Sequence, residues 1–161
     1  MTVDEYLHTS FEHDAEYVDG RVVYRPDPIM PHSRMQGYLG YALYEVARAR
    51  GYKVWLEQLV RTQRDPPRFR VPDVCLTLGK PDEEIFTTPP FLCAEILSPE
   101  DKAVALRAKV DEYLRFGVRY VWVIDPESLA GEVYMSEGIV RVDEGVFRAD
   151  QIEVDIREAC S

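Results

Sequence analysis

The sequence predicts an α/β protein in which a mixed sheet is flanked by helices. Three observations carry that expectation. Apolar residues recur at helical spacing over 32–50 and again over 98–117. Short runs rich in β-branched and aromatic residues stand around both stretches. Beyond residue 126 the chain is punctuated by Gly131, Gly138 and Gly145, which suits short antiparallel strands. Helices and strands interleave in this way when helices cover a sheet. At 161 residues the chain is expected to form a single domain spanning 1–161, large enough for a sizeable core.

Each element has its own signal. Thr2 and Glu5 stand at capping-box spacing and predict a short helix over 3–8. Asp19-Gly20, between Ala15–Val18 and Arg21–Tyr24, predicts a hairpin. Three prolines within 26–31 mark a loop. Met35, Leu39, Ala42, Leu43, Val46 and Ala47 predict a helix from His32 to Arg50, with Gly51 as its stop. Tyr52–Gln63 is expected as one long strand, Arg64–Arg70 as a charged turn, and Val71–Leu78 as a strand. Phe91–Leu97 is apolar on both faces, as in the middle of a sheet. Ser98 as N-cap and Pro99 at the first helical position open a helix whose buried stripe is Ala103, Leu106, Val110, Tyr113 and Leu114. Gly117 ends that helix, and Val118–Ile124 is a further strand.

Composition bounds the function. No apolar run approaches the roughly 20 residues that span a bilayer, and the N-terminus lacks a secretory signal. Cys75, Cys93 and Cys160 are widely spaced, with no Cys-x-x-Cys pair, which speaks against a disulfide framework and for a reducing, cytoplasmic setting. A net charge of −10 excludes broad electrostatic adhesion to nucleic acid, because phosphate neutralisation by basic residues supplies most of such affinity. Phosphodiester chemistry is not excluded, since a bound divalent cation reverses the local sign.

Two acids stand where the pattern has no solvated face for them. Glu95 lies between Ala94 and Ile96 inside an apolar strand, and Asp73 follows Val71-Pro72 in the preceding one. An unpaired carboxylate there costs several kcal/mol and needs a cation or a proton. In strand geometry Glu95 shares a face with Phe91, Cys93 and Leu97. Together the acids can hold a hard cation, Mg²⁺ or Mn²⁺, which takes one or two carboxylates and keeps open positions. The alternative is that each acid pairs with an arginine or caps a turn. Only four lysines occur, and two of them, Lys102 and Lys109, fall seven apart on the helix after Glu95. Lys109 borders the buried stripe and can reach inward, while Lys102 suits a solvated position. His32 either contacts phosphate at a helix N-terminus or caps the helix.

These residues resemble the PD-(D/E)XK nuclease superfamily, and the layout resembles its Uma2 branch. The matching pieces are Glu16-Tyr17-Val18-Asp19-Gly20, His32, Val71-Pro72-Asp73-Val74, Glu95-Ile96-Leu97-Ser98-Pro99-Glu100-Asp101, Lys109 with Tyr113, and Gly117 through Pro126. The resemblance implies a restriction-endonuclease-like core with added antiparallel strands. It also implies a Mg²⁺-dependent endonuclease acting on nucleic acid, DNA above all, as a homodimer. Asp73, Glu95 and Lys109 would be catalytic, Glu16 a third carboxylate at the metal, and His32 and Lys102 phosphate contacts. One departure stands out: the superfamily lysine two residues after the acid is here Leu97. The runner-up is therefore a nuclease-fold module that no longer cleaves. A carboxylate-pair glycosidase ranks below both, because the domain is small and has no evident aromatic sugar platform.

Overall fold

The structure, a computed structural model, describes residues 1–160, the Cys160 side chain excepted. Among the described residues three α-helices, α1 (Val3–Leu7), α2 (Met30–Ala47) and α3 (Ala103–Phe116), alternate with strands as the pattern expects. The central sheet has six strands in the order β10-β9-β8-β7-β6-β3. These are β3 (Lys53–Leu56), β6 (Val74–Thr77), β7 (Leu92–Ile96), β8 (Tyr120–Ile124), β9 (Gly131–Met135) and β10 (Gly138–Val142). Only β7 and β8 run parallel, joined by the α3 crossover, and the other neighbours are antiparallel. A second sheet, ordered β2-β1-β5-β4, contains β1 (Ala15–Val18), β2 (Arg21–Tyr24), β4 (Val60–Gln63) and β5 (Arg68–Arg70).

Period-two alternation along β6, β7 and β8 splits the core into two layers. On one face Leu76, Leu92, Ala94, Ile96, Trp122 and Ile124 pack against Met35, Leu39 and Leu43 of α2. The hairpin β11 (Val146–Ala149) and β12 (Ile152–Asp155) closes that layer through Phe147, Ile152 and Val154. On the other face Cys75, Cys93, Val121 and Val123 pack against Val110 and Tyr113 of α3. Glu95 belongs to this second face with Cys93 and Leu97, whereas Phe91 turns to the first, so the expected grouping fails at Phe91. Phe91 lies one residue before β7 begins and so falls outside its alternation.

Local chemistry explains what matches. The Thr2–Glu5 capping box is formed in both directions and starts α1. Asp19 and Gly20 take positive φ, 52° and 87°, and close the β1–β2 hairpin as expected for a tight turn. Gly51 ends the helical segment in the left-handed conformation, one 3₁₀ turn beyond α2.

Four expectations are corrected. The expected long strand 52–63 is two strands in different sheets. The chain bends at Glu57, φ 51°, whose amide donates to the Asp73 carbonyl, because β3 pairs with β6 while β4 pairs with β5. The expected turn 64–70 ends in a strand, since carboxylates on neighbouring elements neutralise Arg68 and Arg70 and let them pair. Ser98 is not the N-cap of α3. Residues 98–101 form a separate turn, with the Ser98 amide on Asp101 Oδ2 at 2.7 Å, and the helix starts at Ala103 with Lys102 as N-cap. Helix α2 starts two residues before His32, at Met30 with Ile29 as N-cap, so His32 is not a cap. Cys75 and Cys93 also prove to be register partners across β6–β7; both are reduced and fully buried.

Candidate active site

Asp73 ends the loop that enters β6, and Glu95 is the penultimate residue of β7. The antiparallel register pairs Val74 with Ala94, so the two acids stand one step beyond that pair, at the same end of adjacent strands. Both are buried, at 1% and 5% exposure. They line a cleft of about 660 Å³ with Glu16, Arg25, His32 and Lys109. The sheet places Glu16 on β1, Arg25 just past β2, His32 in the first turn of α2 and Lys109 on α3.

Asp73 is held from three sides. Its Oδ2 accepts the Ile96 amide at 2.8 Å, and its Oδ1 lies 3.1 Å from His32 Nε2 and accepts from Arg25 Nη2. Burial works against its charge, but the His32 hydrogen bond and the Arg25 guanidinium outweigh it and hold the carboxyl below its usual range. The same contact raises the His32 imidazole.

Glu95 is less well satisfied. Its Oε1 accepts the Tyr113 hydroxyl at 2.7 Å and lies 3.8 Å from Lys109 Nζ. No hydrogen bond reaches Oε2 among the described residues. Burial pushes the Glu95 carboxyl up to about 7, helped by the charges of Asp73 and Glu16, with Lys109 opposing.

Lys109 does reach inward. Its Nζ lies 2.8 Å from Glu16 Oε1, and Glu95 and Glu16 together keep it charged against burial. Glu16 spends its other oxygen on the Val71 amide at 2.8 Å. In this arrangement Glu16 therefore holds Lys109. Among the described residues no three His, Cys, Asp or Glu side chains gather closely enough to enclose a metal. Lys102 is exposed at the cleft mouth, beside Ser98 and Ala105.

Residue-type reasoning missed Arg25, Arg70 and Glu112, and saw Tyr113 only as a core residue. Arg70 makes a bidentate pair with Glu112, Nε to Oε2 at 2.8 Å and Nη2 to Oε1 at 3.0 Å. Arg68 and the Thr62 hydroxyl complete the Glu112 shell at 3.1 and 2.6 Å. A signal for Glu112 and Tyr113 existed: they follow Lys109 by three and four residues, on one helix face. Arg25 had no such signal, because its partner Asp73 lies 48 residues away.

A second cavity, about 590 Å³, lies at the opposite end of β6 and β7 among Leu78, Lys80, Pro90 and Arg119. It contains none of the buried ionisable groups above, which gather in the first cleft instead.

The sequence of the chain matches the Uma2 family, described as "Putative restriction endonuclease", over residues 3–154. The chain belongs to the Uma2 family. A crystal structure of a putative nuclease of the DUF820 group from Anabaena variabilis superposes with a TM-score of 0.84 at 22% identity. The match covers 99% of this chain and 97% of that one. At that identity the likeness speaks for the fold, a mixed α/β architecture of the restriction-endonuclease-like type. No curated protein matches. Among the described residues no helix is long and apolar enough to cross a membrane. The expected family and fold class therefore stand, and the family is one described as putative restriction endonucleases.

Proposed function

We propose that this Uma2 protein is a Mg²⁺- or Mn²⁺-dependent endonuclease that hydrolyses phosphodiester bonds of nucleic acid, DNA above all. One observation carries the reading: Asp73 at the entrance to β6, Glu95 on β7 and Lys109 on α3 converge on one cleft, with Glu95 Oε2 left without a donor among the described residues. The donor set suits a hard cation, which needs only one or two carboxylates and fills its remaining positions with water and substrate oxygens. Asp73 and Glu95 would hold it. The ion, when bound, supplies Lewis-acid chemistry: it neutralises charge on a phosphate oxygen and makes water more acidic.

The chain's own residues do the rest. Lys109, held by Glu16 at 2.8 Å, presents an ammonium group beside Glu95 where charge develops on the phosphate. His32 and the Ile96 amide fix the orientation of Asp73. Tyr113 fixes Glu95. At the mouth, α3 begins with no side-chain cap and no acidic residue in its first turn, and Lys102 stands at its N-cap. Free amides at a helix N-terminus with a lysine beside them favour an entering phosphate. Glu12, Asp14, Asp27, Glu57 and Glu100 also line the cleft, so a polyanion meets repulsion until a divalent cation is present.

The test is cleavage of plasmid and of single-stranded oligonucleotides with Mg²⁺, Mn²⁺ or EDTA, for wild type and for Glu95→Gln. Cleavage that needs the divalent ion and is lost in Glu95→Gln supports the reading. Metal binding without cleavage of either substrate would favour the non-cleaving module instead.

A further inference from the structure

Both oxygens of Asp73 already accept donors. Oδ2 accepts the Ile96 amide at 2.8 Å, and Oδ1 is shared between His32 Nε2 at 3.1 Å and Arg25 Nη2. A carboxylate has about four lone-pair sites, so a cation that binds Asp73 through Oδ1, where both sites are taken, must displace His32 or Arg25. The Ile96 amide is fixed in β7, and His32 is anchored in the first turn of α2; its side chain is as buried as that of Arg25, 10% against 11% exposed, so the difference lies in the backbone that carries each and in the length of the stem. Arg25 is the movable one. It stands just past β2 at the edge of the cleft, on a long unbranched stem. Its guanidinium also has a second place to go: Nη1 lies 3.5 Å from Asp14 Oδ2 and 4.0 Å from Glu57 Oε1, and both carboxylates stand at the mouth, 55% and 44% exposed.

Resting on the metal-site reading above, we propose that Arg25 is a latch: it occupies Asp73 when no metal is bound, is displaced by the metal, and then binds the substrate phosphate from the cleft mouth. Charge supports the exchange. The buried acids Glu16, Asp73, Glu95 and Glu112 face Arg25, Arg70, Lys109 and Arg68, so the metal-free site is already balanced. A divalent ion adds two positive charges and favours release of a cation. A freed guanidinium offers planar, bidentate donors that match phosphate, which a lysine at the same place would not supply. Metal and nucleic acid then bind cooperatively, and the latch limits non-productive loading of either one.

The experiment is Mn²⁺ binding by calorimetry, without nucleic acid, for wild type, Arg25→Met and Glu95→Gln. Binding of a short phosphorothioate oligonucleotide at saturating Mn²⁺ completes it. The latch predicts Mn²⁺ binding tighter by about tenfold in Arg25→Met, within the usual range of coupling between sites. It also predicts weaker oligonucleotide binding in the same variant. Equal or weaker Mn²⁺ binding in Arg25→Met, beside Glu95-dependent binding in wild type, overturns the latch and leaves the metal site standing. Mn²⁺ binding by neither wild type nor Arg25→Met overturns both. Should Arg25→Met fail to fold, the rate of phenylglyoxal modification at Arg25 in wild type decides. Mn²⁺ must accelerate it, and an unchanged or slower rate sinks the proposal.

Discussion

Glu95 and Glu112 are both buried acids facing the interior between β-structure and α3, and they live in opposite states. Glu112 receives four donors, two from Arg70 and one each from Arg68 and Thr62. Burial opposes its charge, yet the Arg70 pair wins and holds the carboxyl below its ordinary value. Glu95 receives one hydroxyl and a lysine at 3.8 Å, and its carboxyl rises to about 7. The contrast separates two uses of buried charge. A saturated carboxylate fastens the second sheet to α3. An undersupplied one, open to a cleft, is what the proposed metal site calls for.

The largest effect is expected at the saturated acid. Glu112→Ala removes the bidentate partner of buried Arg70, leaving it only Glu16 at 3.5 Å, and takes one of the two acids that Arg68 pairs with, and should cost about 3–5 kcal/mol in urea denaturation. A cost near that of a surface substitution would break the distinction. Next comes Lys109→Met, which keeps the apolar stem and removes the ammonium. Cleavage should fall about a hundredfold or more, while the Mn²⁺-induced rise in melting temperature survives. Loss of that rise as well would make Lys109 a structural residue. Glu95→Gln should abolish the rise itself, a stabilisation of about 2.7 kcal/mol in wild type at a hundredfold excess over Kd.

The pH dependence sharpens the same contrast. The folded Glu95 carboxyl sits above its ordinary value of 4.5, so its contribution to metal-free stability is fully present below that value. That contribution is lost as pH rises through about 7. Metal-free Glu95→Gln should therefore gain on wild type as pH rises from acid to above 7, read by melts across pH. Because metal competes with the proton, Mn²⁺ binding to wild type should tighten through the same window. The smallest signal is a negative one: Cys75 and Cys93, fully buried and with thiols pushed up by burial, should resist alkylation until the protein unfolds. Rapid labelling in the native state would show that the sheet interior next to the acids is open.

Much of this was legible along the chain. Local rules found the Thr2–Glu5 capping box, the Asp19-Gly20 hairpin, and the helices near 30–50 and 103–116, because caps, turns and apolar periodicity act within a few residues. The same logic flagged Asp73 and Glu95, since an acid inside an apolar strand has few comfortable states. It failed where the reason lies far away in sequence. The bend at Glu57 follows from two sheets competing for one segment, and β5 tolerates its arginines only because Asp19, Glu16 and Glu112 arrive from elsewhere. Three cysteines spaced widely in sequence gave no hint that two of them face each other across a ladder.

Local pattern along the chain was enough for the helices, the β1–β2 hairpin, the strands around Glu95 and the question of which acids needed an explanation. Tertiary structure decided the partners: that Lys109 rests on Glu16, that Arg25 and His32 share Asp73, and that Glu95 keeps an open oxygen. The physical reason is range. Caps and periodicity are set by neighbours in the chain, whereas the charge state of a buried acid is set by whichever cations the fold brings within a few ångströms.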